Sequence, residues 1–242
     1  MGIPLLQRLD ASPVAKLATA TLIFCLIVGG WLAVQQYRQT TATLPDDEQR
    51  QGDCSLWFVG SSSMHRWVSL HRDMAPWVAH NRGIDNATFA DLLPRFANSG
   101  ADGRPVAIIL YAGENDIANG VPVRSVIRQL GHFLDVRNQA MGDVPVLILS
   151  MKPSPKRRSS FANQQLFNAA AQRFIPHARL AYYADITTPL LKGGRLGDNY
   201  RPDGVHMNPA GYRIWAGVVR RRLNEILPPE TVHRCAPWSK LR

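Results

Sequence analysis

The sequence has only three cysteines in 242 residues, and no two of them show Cys-x-x-Cys spacing. No grouping of cysteine and histidine has metal-ligand spacing either, so a structural zinc site is not indicated. The chain also lacks internal repeats and long low-complexity runs. Its 45% hydrophobic and 19% charged residues fit one globular domain plus an appendage.

Acidic residues are few, with 18 carboxylates against 28 lysines and arginines and a net charge of +10. Much of the excess lies in two clusters, at residues 152–158 and 220–222. A basic domain outside a cell would be drawn to anionic lipid headgroups or to an acidic wall polymer. A solvated basic surface without a partner is the simpler alternative. No motif for nucleic-acid binding accompanies the charge, so we expect no nucleic-acid partner.

Long uncharged runs are absent except for residues 17–34, which lie between Lys16 and Arg38. As a helix at about 1.5 Å per residue, this run would extend roughly 27 Å, enough to cross the hydrocarbon core of a bilayer. A cleaved signal peptide is the alternative. Its apolar part is normally only ~7–15 residues long and is followed by a small-residue cleavage site. No clean Ala-x-Ala site follows here, so we favour a transmembrane anchor.

This interpretation predicts a single-pass membrane protein. Arg8 and Lys16 favour an N-terminus on the inside, which places the domain in the periplasm or outside. In such a compartment, Cys54 and Cys235 would be able to form a disulfide, although two free thiols stay open as the alternative. The predicted segments are a cytoplasmic N-terminus (1–16), the anchor (17–34), a polar tether (35–53), the domain (54–228) and a C-terminal tail (229–242).

Strand and helix patterns alternate from Cys54 onwards. Short apolar runs predict strands at residues 56–60, 77–80, 105–112, 144–150 and 180–185. Helical spacing and capping residues predict helices at residues 88–97, 122–139, 160–175 and 209–227. The alternation predicts an α/β fold, a three-layer α/β/α sandwich around about five parallel strands. Ligands in such folds bind at the carboxyl ends of the strands.

Two of the loops expected at that edge carry the parts of a Ser-His-Asp esterase. Ser62 lies among three serines after Gly60, where a strand-to-helix turn would present its hydroxyl, although serine clusters also cap helices. Asp203 precedes His206 by three residues, and an acid so placed would fix the tautomer of the ring and free its other nitrogen as a base. An ordinary turn before a surface histidine is the alternative.

The two other loops carry candidate donors for a developing oxyanion. Gly83 permits a close backbone approach, and the Asn115 amide is a neutral donor, although turn glycines are common. Asp116 suits a structural role as an acceptor of backbone N–H groups. Glu114 would be either solvated or part of the pocket wall.

The four loops follow one another along the chain with Ser62, Gly83, Asn115 and His206 in that order. This arrangement resembles the four sequence blocks of the SGNH hydrolases, also called the GDSL esterase/lipase superfamily. The resemblance covers about residues 54–227. The wider strings look like a bacterial subgroup of lysophospholipase-L1-type esterases, and they lie at residues 58–67, 81–83, 111–117 and 203–208. Two departures are visible, because the Gly-Asp-Ser turn is Gly60-Ser61-Ser62 here and Ile84-Asp85-Asn86 replaces a glycine-richer segment.

The resemblance implies a flavodoxin-like fold and ester hydrolysis through an acyl-serine, without a metal or organic cofactor. Ser62 would be the nucleophile, His206 the base and Asp203 its orienting acid. The oxyanion would be held by the N–H groups of Ser62 and Gly83 and by the Asn115 side chain. We favour short-chain or O-acetyl esters, for example on an envelope glycan. Lysophospholipids, thioesters and acetyl transfer by the same triad are the alternatives, and a non-catalytic envelope protein is less favoured.

Overall fold

The computed structural model describes residues 12–48 and 52–237, so most of the predicted cytoplasmic N-terminus lies outside the described residues. The chain divides into two compact units, with the boundary between Ala42 and Thr43. Among its described residues, the first unit contains one helix, α1 (Pro13–Thr41). Its segment Lys16–Val34 has a mean hydropathy of 2.2 and is long and apolar enough to cross a membrane. A signal sequence near an N-terminus would have the same properties.

The second unit is built on a sheet of five parallel strands, as the sequence predicts. The strands are β1 (Ser55–Gly60), β2 (Val78–Gly83), β3 (Ala107–Tyr111), β4 (Val146–Leu149) and β5 (Ala181–Ala184). Their spatial order is β2-β1-β3-β4-β5. Because the order reverses at β1, the loops after β1 and β3 diverge and leave a crevice at their carboxyl ends.

Helices cover both faces of this sheet. In chain order they are α2 (Ser62–His65), α3 (Leu70–Met74), α4 (Phe89–Asn98), α5 (Glu114–Ala118), α6 (Val123–Met141), α7 (Phe161–Phe174), α8 (Pro209–Ile226) and α9 (Pro229–Cys235). A two-stranded antiparallel pair, β6 (Leu191–Lys192) and β7 (Arg195–Leu196), lies between β5 and α8. Side chains alternate along β1, so Phe58 belongs to the core that includes α2, α3, α8 and α9, while Trp57 belongs to the core that includes α4, α6 and α7.

The predicted boundaries change at three places, of which the first two are the end of the second strand and the start of the tail. The second strand is longer than residues 77–80 and ends at Gly83, so Gly83 is the last residue of β2 rather than part of a loop. The predicted tail begins with α9, whose Val232 and Cys235 are buried in the same core as α8. The domain therefore extends past residue 228, because these apolar side chains complete its core. Cys235 is bonded to Cys54, with an S–S distance of 2.04 Å.

The end of the predicted tether also belongs to the domain. We call residues 44–48 the acidic clip. Leu44 is buried in the core between the sheet and α4, and its N–H donates to Ser99 Oγ at 2.8 Å. Asp46 accepts hydrogen bonds from His80 Nδ1 at 2.9 Å and from Arg82 Nη2 at 2.6 Å. Arg82 is only 1% exposed, so Asp46 neutralises a buried cation.

The acidic clip also touches the outer edge of β2, which is an edge strand of the sheet. Asp47 Oδ1 accepts the backbone N–H of Asn81 at 2.9 Å, and Asp47 Oδ2 lies 3.1 Å from His71 Nε2. The Asn81 side chain in turn donates to the carbonyl of Met64 in α2 at 2.9 Å. The clip is thus connected to the helix that begins with Ser62.

Candidate active site

Ser62 is the first residue of α2, directly after the turn that closes β1. This turn requires a glycine at position 60, because a Cβ there would lie 2.1 Å from the carbonyl oxygen of Tyr111. The same carbonyl accepts the N–H of Ser61 at 3.1 Å, which holds the turn against the end of β3. The Tyr212 hydroxyl donates to the Ser63 carbonyl at 2.9 Å and fixes α2 from the other side.

The structure brings Ser62, His206 and Asp203 together in one chain of hydrogen bonds. His206 Nε2 is 2.9 Å from Ser62 Oγ, and His206 Nδ1 is 2.8 Å from Asp203 Oδ2. A proton on Nδ1 is held by the carboxylate, which leaves Nε2 free to accept the serine proton. The arrangement has the geometry of an activated serine nucleophile.

Asp203 is held by the backbone that follows it. Its Oδ1 accepts the N–H groups of Val205 at 2.8 Å and of His206 at 2.9 Å, across the left-handed Gly204 (φ +65°). Burial acts to raise the pKa of the Asp203 carboxyl, but these two N–H groups and the His206 ring outweigh it and hold that pKa well below its ordinary value. The carboxylate therefore stays ionised beside the ring.

Gly83 lies beside α2, where a Cβ would be 2.2 Å from the His65 nitrogen. Only glycine lets β2 and α2 approach so closely. The Gly83 N–H donates to Asn81 Oδ1 at 3.1 Å in this structure. Asn115 is buried in α5, and its Nδ2 donates to the Ala87 carbonyl at 2.9 Å. A side-chain amide has two N–H donors, so this contact uses only one of them.

Asp116 has the structural role that the sequence suggests. Its carboxylate accepts the backbone N–H of Phe89 at 3.2 Å, which ties α5 to the start of α4. Burial raises the pKa of this carboxyl.

Glu114 is neither solvated nor free, because it is 2% exposed and pairs with Lys152. Lys152 Nζ lies 3.0 Å from each Glu114 oxygen, and the Tyr111 hydroxyl donates to the same carboxylate. Sequence reasoning placed Lys152 in a basic surface cluster, and this is wrong, since Lys152 is fully buried. The available signal was its position directly after β4, at the edge where the other loops carry site residues.

The two basic clusters are therefore less of a free surface than their sequence suggests. Arg157 Nη1 lies 3.4 Å from Glu114. In the second cluster, Arg220 donates to the carbonyls of Asp73 and Ala75, and Arg222 pairs with Glu225. The guanidinium groups of Arg157, Arg220 and Arg222 thus make contacts within the domain. Within the described part of the chain, no group of three His, Cys, Asp or Glu side chains is placed to hold a metal ion.

The sequence profile of the GDSL-like Lipase/Acylhydrolase family matches residues 49–214, which is more than half of the chain. The chain belongs to this family. It is therefore a GDSL acylhydrolase, a hydrolase that acts on ester bonds. A search of curated proteins found no match to the sequence.

Solved structures with the same fold include three GDSL or carbohydrate esterases. A GDSL-like lipase from Bacteroides thetaiotaomicron has a TM-score of 0.61 at 21% identity, covering 72% of this chain and 90% of its own. A carbohydrate esterase of family 3 from Talaromyces cellulolyticus has a TM-score of 0.56 at 18% identity, with coverages of 71% and 96%. An acetyl-xylooligosaccharide esterase from Geobacillus has a TM-score of 0.57 at 14% identity, with coverages of 76% and 96%. At these identities the likeness of this acylhydrolase to them is one of fold.

Proposed function

We propose that this acylhydrolase cleaves carboxylic esters through an acyl-serine intermediate, with Ser62 as the nucleophile. The observation that carries the proposal is the unbroken chain from Ser62 Oγ through the His206 ring to Asp203, with contacts of 2.9 and 2.8 Å. A serine hydroxyl is a weak nucleophile until an adjacent base takes its proton. His206 Nε2 is within reach of that proton.

In the first step, Ser62 Oγ attacks the ester carbonyl carbon while His206 Nε2 takes the hydroxyl proton. Asp203 stabilises the imidazolium that forms. The tetrahedral intermediate collapses, His206 gives its proton to the leaving alcohol, and the acyl group stays on Ser62. Water, deprotonated by His206, then attacks the acyl carbonyl carbon. The bond to Ser62 Oγ breaks, His206 returns the proton to Ser62, and the acid is released.

The negative oxygen of the intermediate would be held by the N–H groups of Ser62 and Gly83 and by the Asn115 amide. Ser62 lies in the first turn of α2, where backbone N–H groups have no partner within the helix. Asn115 has a second N–H to donate. The Gly83 N–H would share its bond with Asn81 or exchange it for the oxyanion. Loss of one such donor typically lowers kcat by ~10²–10³-fold.

We infer that the substrate is a short-chain ester, and an O-acetyl group on a glycan above all. Two charged side chains near His206 support this. Arg66 and Asp85 form an ion pair at 3.1 Å, both are well exposed, and their charges lie close enough to act on Asp203 and His206. An exposed ion pair beside the site suits an alcohol group with several hydroxyls, such as a sugar, better than a long apolar acyl chain. Two of the similar structures are a carbohydrate esterase and an acetyl-xylooligosaccharide esterase.

We further propose that α1 anchors the enzyme in a membrane with the domain in the periplasm or an equivalent compartment. The apolar segment Lys16–Val34 supports the anchor. The bond between Cys54 and Cys235 supports the compartment, because disulfides persist where the surroundings are oxidising. Protease accessibility of the domain in intact cells and in spheroplasts would test this placement.

The activity test uses the full chain in detergent, a fluorophosphonate probe and p-nitrophenyl esters from acetate to dodecanoate. We expect covalent labelling of Ser62, rates that fall with acyl length, and loss of both in Ser62→Ala. Ser61→Ala and Ser63→Ala are the matched controls and should keep the labelling. An unlabelled wild-type chain, or full activity in Ser62→Ala, would refute the assignment. A rate that rises with acyl length would replace the O-acetyl substrate by a lipid or thioester.

A further inference from the structure

Glu114 lies at the centre of a buried ionic cluster that the proposed chemistry does not use. It accepts bonds from Lys152 Nζ at 3.0 Å to both of its oxygens, and Arg157 Nη1 lies 3.4 Å away. The Tyr111 hydroxyl donates to it as well. Burial alone would raise the pKa of Glu114, but the two cations outweigh it and lower that pKa, so the carboxylate is ionised.

Such a cluster is costly to build, because buried ions lose their hydration and an apolar replacement is often as stable. Stability is therefore a weak reason for its presence. Both cations come from one segment, residues 152–157 after β4, which we call the β4 loop. Glu114 holds this loop near its two ends.

The β4 loop packs against the loop that carries Asp203 and His206. The Lys156 N–H donates to the Gly204 carbonyl at 3.0 Å, between Asp203 and His206 in the chain. A Cβ on Gly204 would lie only 3.3 Å from the Lys156 nitrogen, so the two backbones are in close contact. The Tyr200 hydroxyl donates to the Pro153 carbonyl and joins the loops a second time.

We propose that Glu114 is a positioning residue for the catalytic base. It fixes the β4 loop through Lys152 and Arg157, and the β4 loop fixes the backbone that carries Asp203 and His206. The next residue after Glu114 is Asn115, a proposed oxyanion donor. One carboxylate thus sets the spacing between the base and the oxyanion site. This inference rests on the function proposed above.

The first test compares Glu114→Gln with the wild-type chain on p-nitrophenyl acetate. Gln keeps the shape of the side chain but loses the charge that holds both cations. We expect kcat to fall by about 10–10²-fold with KM within about twofold, because a misplaced base slows the reaction without weakening ester binding. The far-downfield proton resonance of His206 Nδ1–H should shift or broaden. Glu225→Gln, which breaks the exposed pair with Arg222 on α8, is the matched control. It should change neither kcat nor the His206 resonance.

A double variant separates positioning from stability. Glu114→Gln alone leaves Lys152 as an unpaired buried cation, which is strongly destabilising. Glu114→Gln with Lys152→Met removes both charges, so Tm should return towards that of the wild type. Because the attachment of the β4 loop is still lost, kcat should stay low and the His206 resonance should stay altered. Recovery of kcat together with Tm would show a purely structural role and overturn the inference.

Separate measurements distinguish a wrong catalytic serine from a wrong role for Glu114. If Ser62→Ala stays active, the proposed function is wrong whatever Glu114 does. If Ser62 is labelled and required but the double variant has the kcat of the wild type, only the role of Glu114 is wrong.

Discussion

Ser62 and His206 are 144 positions apart in the chain, yet Ser62 Oγ and His206 Nε2 lie 2.9 Å apart. Ser62 begins the first helix after β1, and His206 lies just before the last long helix, α8. The contact therefore depends on the whole sheet between them, which places both segments at its carboxyl edge. Changes far from the nucleophile that move either segment are expected to act on kcat.

Asp203→Asn tests the orientation of the base. An amide in place of the carboxylate favours the wrong tautomer of His206, so kcat on p-nitrophenyl acetate should fall by about 10⁴-fold. Labelling of Ser62 by a fluorophosphonate should slow in parallel. A reduction of less than tenfold would mean that another group orients the ring.

Because the pKa of Asp203 is lowered, the loss of stability in Asp203→Asn should also depend on pH. Above its ordinary value of 3.8, the carboxyl is ionised in both states and its folded-state contacts contribute fully. Below 3.8, the unfolded state takes up the proton first, so the contribution is lost as the pH falls towards the lower folded-state pKa. The Tm difference between the wild type and Asp203→Asn should therefore shrink as the pH falls below 3.8. A difference that grows on acidification would contradict the sign of the shift.

Gly83→Ala tests the close approach of β2 and α2. The new methyl would lie 2.2 Å from the His65 backbone nitrogen, so α2 and with it Ser62 must move. We expect kcat/KM to fall by about 10²-fold or more, as for other small misplacements of reacting groups. Gly217→Ala in α8 is the control, because nothing lies within 4 Å of its Cβ position. It should keep full activity and gain up to about 1 kcal/mol of stability.

Asp46→Asn tests the acidic clip. Removing its charge leaves the buried Arg82 with Asp102, at 2.8 Å, as its remaining carboxylate partner. Breaking a fully buried pair typically costs about 3–5 kcal/mol, and because Asp102 still pairs with Arg82 we expect a loss below that range, measurable by urea unfolding. Asp143→Asn makes the same change in an exposed pair with Arg179 and should cost no more than about 1 kcal/mol. Equal losses in the two variants would show that the clip does not contribute to the fold.

The disulfide joins the beginning and end of the domain, since Cys54 and Cys235 are 181 positions apart. A cross-link over so long a loop restricts the unfolded chain strongly, and its removal typically costs about 2–5 kcal/mol. Cys54→Ser with Cys235→Ser should lower the free energy of unfolding by this amount, and dithiothreitol should do the same to the wild type. Cys25→Ser, which changes a free thiol in α1, should have no effect.

Sequence patterns predicted the strands and long helices well, because apolar runs and caps such as Asn208 are local signals. The Asn208 side chain indeed accepts the Gly211 N–H at 3.0 Å. They also selected Ser62, Asp203 and His206, which the structure brings together. They missed Lys152 and Asp46, whose positions depend on partners 38 and 36 residues away. The place of Lys152 after β4 indicates that it lies near the site, but a charged side chain does not itself indicate which partner it will be buried with. The pairs of Lys152 with Glu114 and of Asp46 with Arg82 are therefore visible only in the folded chain.

The acidic clip also determines at which position a protease could separate the domain from α1 without exposing the edge of the sheet. Cleavage between Ala42 and Thr43 would release a domain whose β2 edge is still covered by Asp47. Cleavage after Glu48 would expose that edge, where the Asn81 N–H would lack its acceptor. An uncovered edge strand is a template for pairing with a strand of another molecule. We therefore expect the domain cut at the second position to associate through β2 more readily than the domain cut at the first.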